Sequence, residues 1–223
     1  MFTKYGIDNI IIMLTISVVF VGISFFISKT WLQVILLIAG ILLAAFTFWF
    51  FRDPDRTVSP KALEDDSYIV APADGKIVQI KEIYEDKYLK SNAVQISIFL
   101  SPLDLHVNRI PISGVIEYFK YKPGDYIIAN HPKSSELNEQ TYIGLKTKYG
   151  KIMFKQIVGV VARRLVWDIK QGDSVTIGTK FGMMKFGSRM DVIVSPETDI
   201  LVKVGDRVIS AESVIAKLKR INI

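Results

Sequence analysis

The most reactive pair of neighbours in this chain lies in Phe186-Gly187-Ser188-Arg189, where a serine directly follows a glycine between two stretches that read as β-strands. Glycine has no side chain to shield its carbonyl, so the Ser188 hydroxyl can attack the Gly187 carbonyl and shift the backbone from amide to ester. β-Elimination would then break the chain. It would leave Gly187 as a new C-terminus and a dehydroalanine at position 188, which rearranges and hydrolyses to a pyruvoyl group with loss of ammonia. Gly-Ser is also an ordinary turn dipeptide, so its surroundings decide between the two readings.

Asp74 falls in Ala71-Pro72-Ala73-Asp74-Gly75, where it can serve as a turn aspartate or as a carboxylate partner. His106 follows an apolar stretch and precedes Pro111. It is either a packed structural imidazole or the group best matched to proton transfer near neutral pH. The second of the two histidines, His131, sits in a polar loop with Lys133 and Glu136, as a surface residue or a substrate contact. Two distant histidines and no cysteine make a poor metal signature, and no metal is expected. The absence of cysteine also excludes disulfides and thiol catalysis.

These residues are carried by two regions of different composition. Residues 7–28 and 31–51 are apolar runs, each about long enough to cross a hydrocarbon core of roughly 30 Å as a helix. Only Lys29 and Thr30 separate them, which predicts a tight hairpin, either spanning the bilayer or dipping into one leaflet. Two buried core helices are the alternative. Lys4, Arg52 and Arg56 flank the outer ends against Lys29 alone in the loop, so the positive-inside rule puts the remainder on the cytoplasmic side. Residues 52–67 read as a polar connector with Pro54 and Pro60, and residues 68–223 as a mainly β domain of short strands broken by glycine turns. Gly-Asp pairs at positions 124, 172 and 205 mark reversals. The segments around Ala71–Val78 and Val202–Leu218 have the look of barrel-sandwich, lipoyl-like elements. A net charge of +6 suits work beside an anionic bilayer, with Arg163, Lys185 and Arg189 among the basic side chains able to meet lipid phosphates. No basic-aromatic motif points to nucleic acid.

In order and spacing these pieces resemble the phosphatidylserine decarboxylase proenzyme family in its short bacterial and archaeal form, which includes archaetidylserine decarboxylase-like members. The resemblance runs from the hairpin through Arg52-Asp53-Pro54, Ala-Pro-Ala-Asp74-Gly, Ser101-Pro-Leu-Asp-Leu-His106 with Asn108-Arg109-Ile-Pro and the segment 129–139, to Phe-Gly187-Ser188-Arg-Met-Asp. It implies self-cleavage between Gly187 and Ser188 into a large membrane-bound chain and a small chain that carries the pyruvoyl group. That group would form a Schiff base with a serine-headed phospholipid, without pyridoxal phosphate and without metal, and the ethanolamine lipid would leave. By the same resemblance Asp74 would orient His106, and His106 would take the Ser188 proton. Longer members carry a second histidine where this chain has Arg109. Either His106 therefore serves both cleavage and decarboxylation, or His131 supplies a proton, with Arg109, Arg163 and Arg189 as further candidates for substrate contact. Ester-linked and ether-linked lipid tails fit equally, and so does association into a homo-oligomer.

Two other classes account for parts of the pattern. A membrane-tethered barrel-sandwich carrier or adaptor needs no catalysis, and Met184-Lys185 faintly echoes a lipoyl attachment site. A membrane serine peptidase also begins with helices, but its nucleophile usually follows the membrane segment closely, whereas Ser188 lies near the far end.

Overall fold

The computed structural model describes residues 2–125, 137–159, 164–185 and 188–219, with Ser188 given by its backbone. The chain divides into two compact units, Met1–Asp55 and Arg56–Ile223.

In the first unit a short 3-10 turn, Lys4–Gly6, leads into α1 (Ile7–Ser24), which packs against α2 (Thr30–Phe50). Close approach of the helices is set by Gly40. A Cβ there would stand 2.8 Å from Val21 Cγ2 and 3.0 Å from the Ser17 carbonyl oxygen. The Ser17 hydroxyl donates across the gap to the Gly40 carbonyl at 2.7 Å. Small residues at the contact and a hydroxyl satisfied within it are how helices associate where no water competes. The two helical segments have mean hydropathies of 2.2 and 2.3, and only 11% of each is buried. That exposure argues against a pair of soluble-core helices and is compatible with membrane association. The connection is longer than expected, residues 25–29. Ser24 turns its hydroxyl back onto the Val21 carbonyl (2.6 Å), and the Phe25 and Phe26 amides close i→i−3 bonds, so α1 tightens and stops early.

The second unit begins with the short helix α3 (Pro60–Glu64), and the named strands of its described residues pair antiparallel. Its largest sheet has eight strands in the order β13 (Arg207–Val208), β2 (Gly75–Glu85), β3 (Ser91–Leu100), β11 (Ser188–Val194), β7 (Gly150–Val158), β6 (Gln140–Thr147), β5 (Gly114–Lys122) and β9 (Ser174–Val175). Two smaller sheets pack with it: β1 (Tyr68–Val70), β14 (Val214–Lys217) and β12 (Asp199–Ile200), then β4 (Val107–Arg109), β10 (Lys180–Lys185) and β8 (Arg164–Trp167). Strand alternation sorts β11 cleanly. Met190, Val192 and Val194 enter the main core with Ile96, Ile98 and Phe154, while Ile193 joins a second cluster with Ala93, Tyr142 and Met153 on the opposite face.

Two of the three Gly-Asp reversals share one construction. In Lys170-Gln171-Gly172-Asp173 and Lys203-Val204-Gly205-Asp206 the glycine has a φ of 95° or 104°, and the aspartate carboxylate accepts from the lysine amide at 2.9 Å. The second of these turns starts at Lys203, three residues after the two-residue strand Asp199–Ile200 ends.

Candidate active site

The residue at the head of β11 lies in the middle of the large sheet. Ser188 is paired on one side with Leu100, the last residue of β3, and on the other with Val158, the last residue of β7. Leu100 leads into a compact turn. The Ser101 amide donates to Asp104 Oδ2 (2.9 Å) and the Asp104 amide donates to the Ser101 carbonyl (3.0 Å), so the chain reverses at once and delivers Leu105 and His106 back beside the sheet. His106 is almost wholly buried, and its carbonyl accepts from the Met184 amide at 3.1 Å. Met184 belongs to β10, the strand that runs into positions 186–187. Thus the two ends of one short reversal stand against Ser188 on one side and the approach to Gly187 on the other. That places the His106 segment at the predicted cleavage point, although Gly187 itself lies outside the described residues.

Asp74 occupies the same end of the sheet. It precedes β2, whose Lys76 pairs with Phe99, so it stands two strands from Ser188, about 10 Å at ordinary strand spacing. Gly75 is required beside it, because a Cβ there would be 2.3 Å from the Phe99 carbonyl oxygen. The carboxylate accepts from Arg56 Nη2 at 2.8 Å and from the Ser210 amide at 2.9 Å. Ser210 in turn takes a 3.1 Å bond from Arg109 Nη1, and the Arg109 amide donates to the Pro72 carbonyl at 2.8 Å. The bonds that fix Asp74 therefore run to Arg56 and Ser210, and the arginine at the alternative histidine position is tied into the same cluster. Arg56, in the segment read as a connector, was legible only as a flanking positive charge. Nothing local in the sequence ties it to a carboxylate eighteen residues away.

Arg189 points away from the core. Its Nε and Nη2 grip Asp191 at 2.9 and 3.0 Å in a bidentate pair, both side chains buried. On that face Lys81, Lys87, Gln95, Lys122, Tyr142 and Lys155 help line a cavity of about 410 Å³. Burial pushes the Lys155 ammonium below the usual lysine range, although Asp191 pulls it the other way. Desolvation likewise raises the Tyr142 phenol to about 12.

His131 and Arg163 lie outside the described residues, but the chain on either side of each is placed. Asp125 and Leu137, which bracket the His131 segment, meet through a 2.7 Å backbone bond, and Asn138 Nδ2 donates to the carbonyl of Val158, the residue opposite Ser188. Arg164, which follows Arg163, pairs with Lys185. The ends of all three segments, 126–136, 160–163 and 186–187, converge on one corner where the large sheet meets the β4-β10-β8 sheet.

A family model for phosphatidylserine decarboxylase matches residues 43–216. The chain belongs to this family. It is 51% identical over 175 residues to the phosphatidylserine decarboxylase proenzyme of Salinibacter ruber, covering 78% of this chain and 76% of that one. The proenzyme of Amoebophilus asiaticus is 47% identical over 182 residues (81% and 79%), and that of Chlorobium phaeobacteroides is 36% identical over 219 residues, 98% of this chain and all of the relative. Among the described residues no cluster of side chains could hold a metal ion. Lys185, the faint echo of a carrier attachment site, is buried in β10 and paired with Arg164, where no lipoyl or biotinyl arm could swing.

Proposed function

We propose that the chain is a precursor that cuts itself between Gly187 and Ser188 and then decarboxylates a serine-headed phospholipid to its ethanolamine counterpart. The observation that carries this reading is the meeting of the His106 segment with the head of β11 at one buried corner. In the cleavage, His106 accepts the Ser188 proton and Asp74 supplies negative charge at the same end of the sheet, with Arg56 and Ser210 holding its orientation. Arg109, through Ser210, steadies that carboxylate in place of a second histidine.

Ser188 suits conversion to a pyruvoyl group because it is the first residue of β11. A cut before it leaves the pairings of β11 with β3 and β7 from Arg189 onward in place, so the new N-terminal group stays anchored at the end of a paired strand. The pyruvoyl group supplies a ketone that condenses with a primary amine and withdraws the electron pair released with carbon dioxide. The chain's own residues do the rest. The corner excludes water behind Leu100, Val158 and Leu105, His106 or His131 returns a proton to the former α-carbon, and basic side chains such as Arg163 hold the lipid phosphate rather than the departing carboxylate, since a strong ion pair to the latter would favour the ground state. In this reading residues 1–51 anchor the enzyme, 52–67 connect, and 68–223 form the catalytic domain on the cytoplasmic side, a placement supported by Lys4, Arg52 and Arg56 outside the helical pair.

Intact mass of the denatured protein tests the reading directly. The parent should give two chains, the smaller lighter by one ammonia than a hydrolysis product beginning at Ser188. Ser188→Ala should give one uncut chain and release no carbon dioxide from phosphatidylserine vesicles. A single full-length mass from an active parent would overturn it.

A further inference from the structure

Strand alternation collects positive charge on the face of the large sheet turned away from the main core. Lys155 on β7 pairs with Tyr142 on β6 and with Asp191 on β11, so the three side chains share that face. Lys81 on β2 joins it through the row of Lys81, Gln95 and Ile193, three strands to one side, and Lys122 lies on β5, two strands to the other. Lys155 therefore stands on the floor of the cavity of about 410 Å³, with Lys81 and Lys122 on opposite walls.

The carboxylates that act on Lys155 are already engaged. Asp191 is held by Arg189 in the bidentate pair. Glu85, at the start of the turn between β2 and β3, accepts from the Lys87, Tyr88 and Leu89 amides at 2.8, 2.8 and 2.6 Å, and Asp86 pairs with Lys87. Among the described residues Lys155 forms no ion pair or hydrogen bond, and its ammonium lies 5.0 Å from the centre of the Tyr142 ring. Lys81 forms no ion pair among them either. A half-buried ammonium held only against a ring face lacks a counter-ion, because the aromatic quadrupole answers only part of its charge.

The lining indicates which anion would supply it. Four lysines against the single carboxylate of Asp86 give a formal charge of +3. A carboxylate presents two oxygens in one plane and suits an arginine fork, whereas a phosphate spreads its oxygens around a centre and can accept from separate ammonium groups. The volume falls in the range of small-molecule sites, about 300–1,000 Å³. We propose that this cavity binds a phosphate ester, with Lys155 at the phosphate and Lys81 and Lys122 closing on it from either wall.

The site stands apart from the corner at Ser188 and goes beyond the decarboxylase reading. Asp191 and Ile193, the β11 members of these rows, lie three and five residues along from Ser188, about 10 and 17 Å at ordinary strand rise. In a serine-headed lipid only two carbons separate the amine from the phosphate oxygen. A substrate with its amine at position 188 leaves its phosphate short of this cavity, so the occupant is a second ligand. Its phosphate can come from a bilayer lipid or from a soluble ester.

Calorimetric titration of the full chain in uncharged detergent micelles with inorganic phosphate, at constant ionic strength, tests the proposal. The parent should show one saturable site. Lys155→Met, which keeps the bulk of the stem and removes the charge, should weaken it by about tenfold or more, and Lys81→Met by less. Ser188→Ala should bind as the parent does, so the measurement stands even if self-cleavage fails. Displacement of phosphate by phosphatidylglycerol added to the micelles assigns a bilayer source, and displacement by glycerol 3-phosphate alone assigns a soluble ester. Displacement by neither overturns the proposal. So does a parent without saturable binding, binding within threefold of the parent in both lysine variants, or binding lost in Ser188→Ala. Should Lys155→Met fail to fold, seen as a lost urea transition, Lys81→Met on the exposed wall carries the comparison.

Discussion

At the scale of single residues, the large sheet buries an ion pair on the face away from the core and the Gln156–Thr141 hydrogen-bonded pair on the core face. Arg189 and Asp191 bind each other on the face away from the core, where breaking the pair leaves one charge stranded. Asp191→Ala should lower unfolding free energy by about 3–5 kcal/mol in urea titration, whereas replacing the pair together by Met and Leu should be close to neutral. Lys155 behaves differently, because burial holds its ammonium below the ordinary lysine pKa. The folded state therefore binds that proton less tightly than the unfolded chain, and the penalty is fully present at pH below the lowered value. It disappears as pH rises through the folded pKa towards the unfolded one. Lys155→Met should thus be more stable than the parent at neutral pH, with the difference in urea midpoint shrinking on the alkaline side. A gap that widened with pH would contradict this account.

At the scale of elements, the active corner depends on strands whose sequences hardly announce themselves. β10, Lys180 to Lys185, has no β-branched residue and carries Gly182 at its centre, yet it brings His106 and the approach to Gly187 together. The glycine is needed, because a Cβ would lie 2.2 Å from the Val166 carbonyl oxygen on β8. Gly182→Ala should therefore cost about 1–3 kcal/mol of stability and slow self-cleavage, read from the fraction of uncut chain. The long strands were legible by contrast. β2, β3, β5, β6 and β7 are runs rich in β-branched and aromatic residues between turn signals, and the two apolar runs of the helical pair are continuous. Ser188, His106 and Asp74 were visible through motif order. Arg56, Ser210, Gln156 and Thr141 were not, since each reaches its partner through strand pairing and through contacts between residues far apart in sequence, for which a linear pattern holds no signal. Gly144 shows the same limit. The ring of Tyr88, from the β2–β3 turn, lies where its Cβ would be, at 2.6 Å, which makes an apparently weak strand position a tight packing contact.

At the scale of the whole molecule, the division after Asp55 predicts that residues 56–223 fold without the helical pair. Expressed alone, they should stay in the aqueous phase of a detergent partition and still cut at Ser188, whereas the full chain should enter the detergent phase. The cut has a longer consequence. The segment from Ser188 onward supplies β11 in the centre of the large sheet, β13 at its edge, and β12 and β14 around β1. Before cleavage all of these contacts form within one polymer, at a rate independent of how much protein is present. Under the proposed cut at Ser188, the same native structure would afterwards be a complex of two chains of unequal length, the shorter without the serine that made it. Heat or denaturant would then turn a first-order search into a bimolecular one, so recovery should fall with dilution and the lifetime of the working enzyme should be set by its unfolding barrier. Assembly is thus a step the molecule takes once, from the uncut chain, and cannot readily retrace.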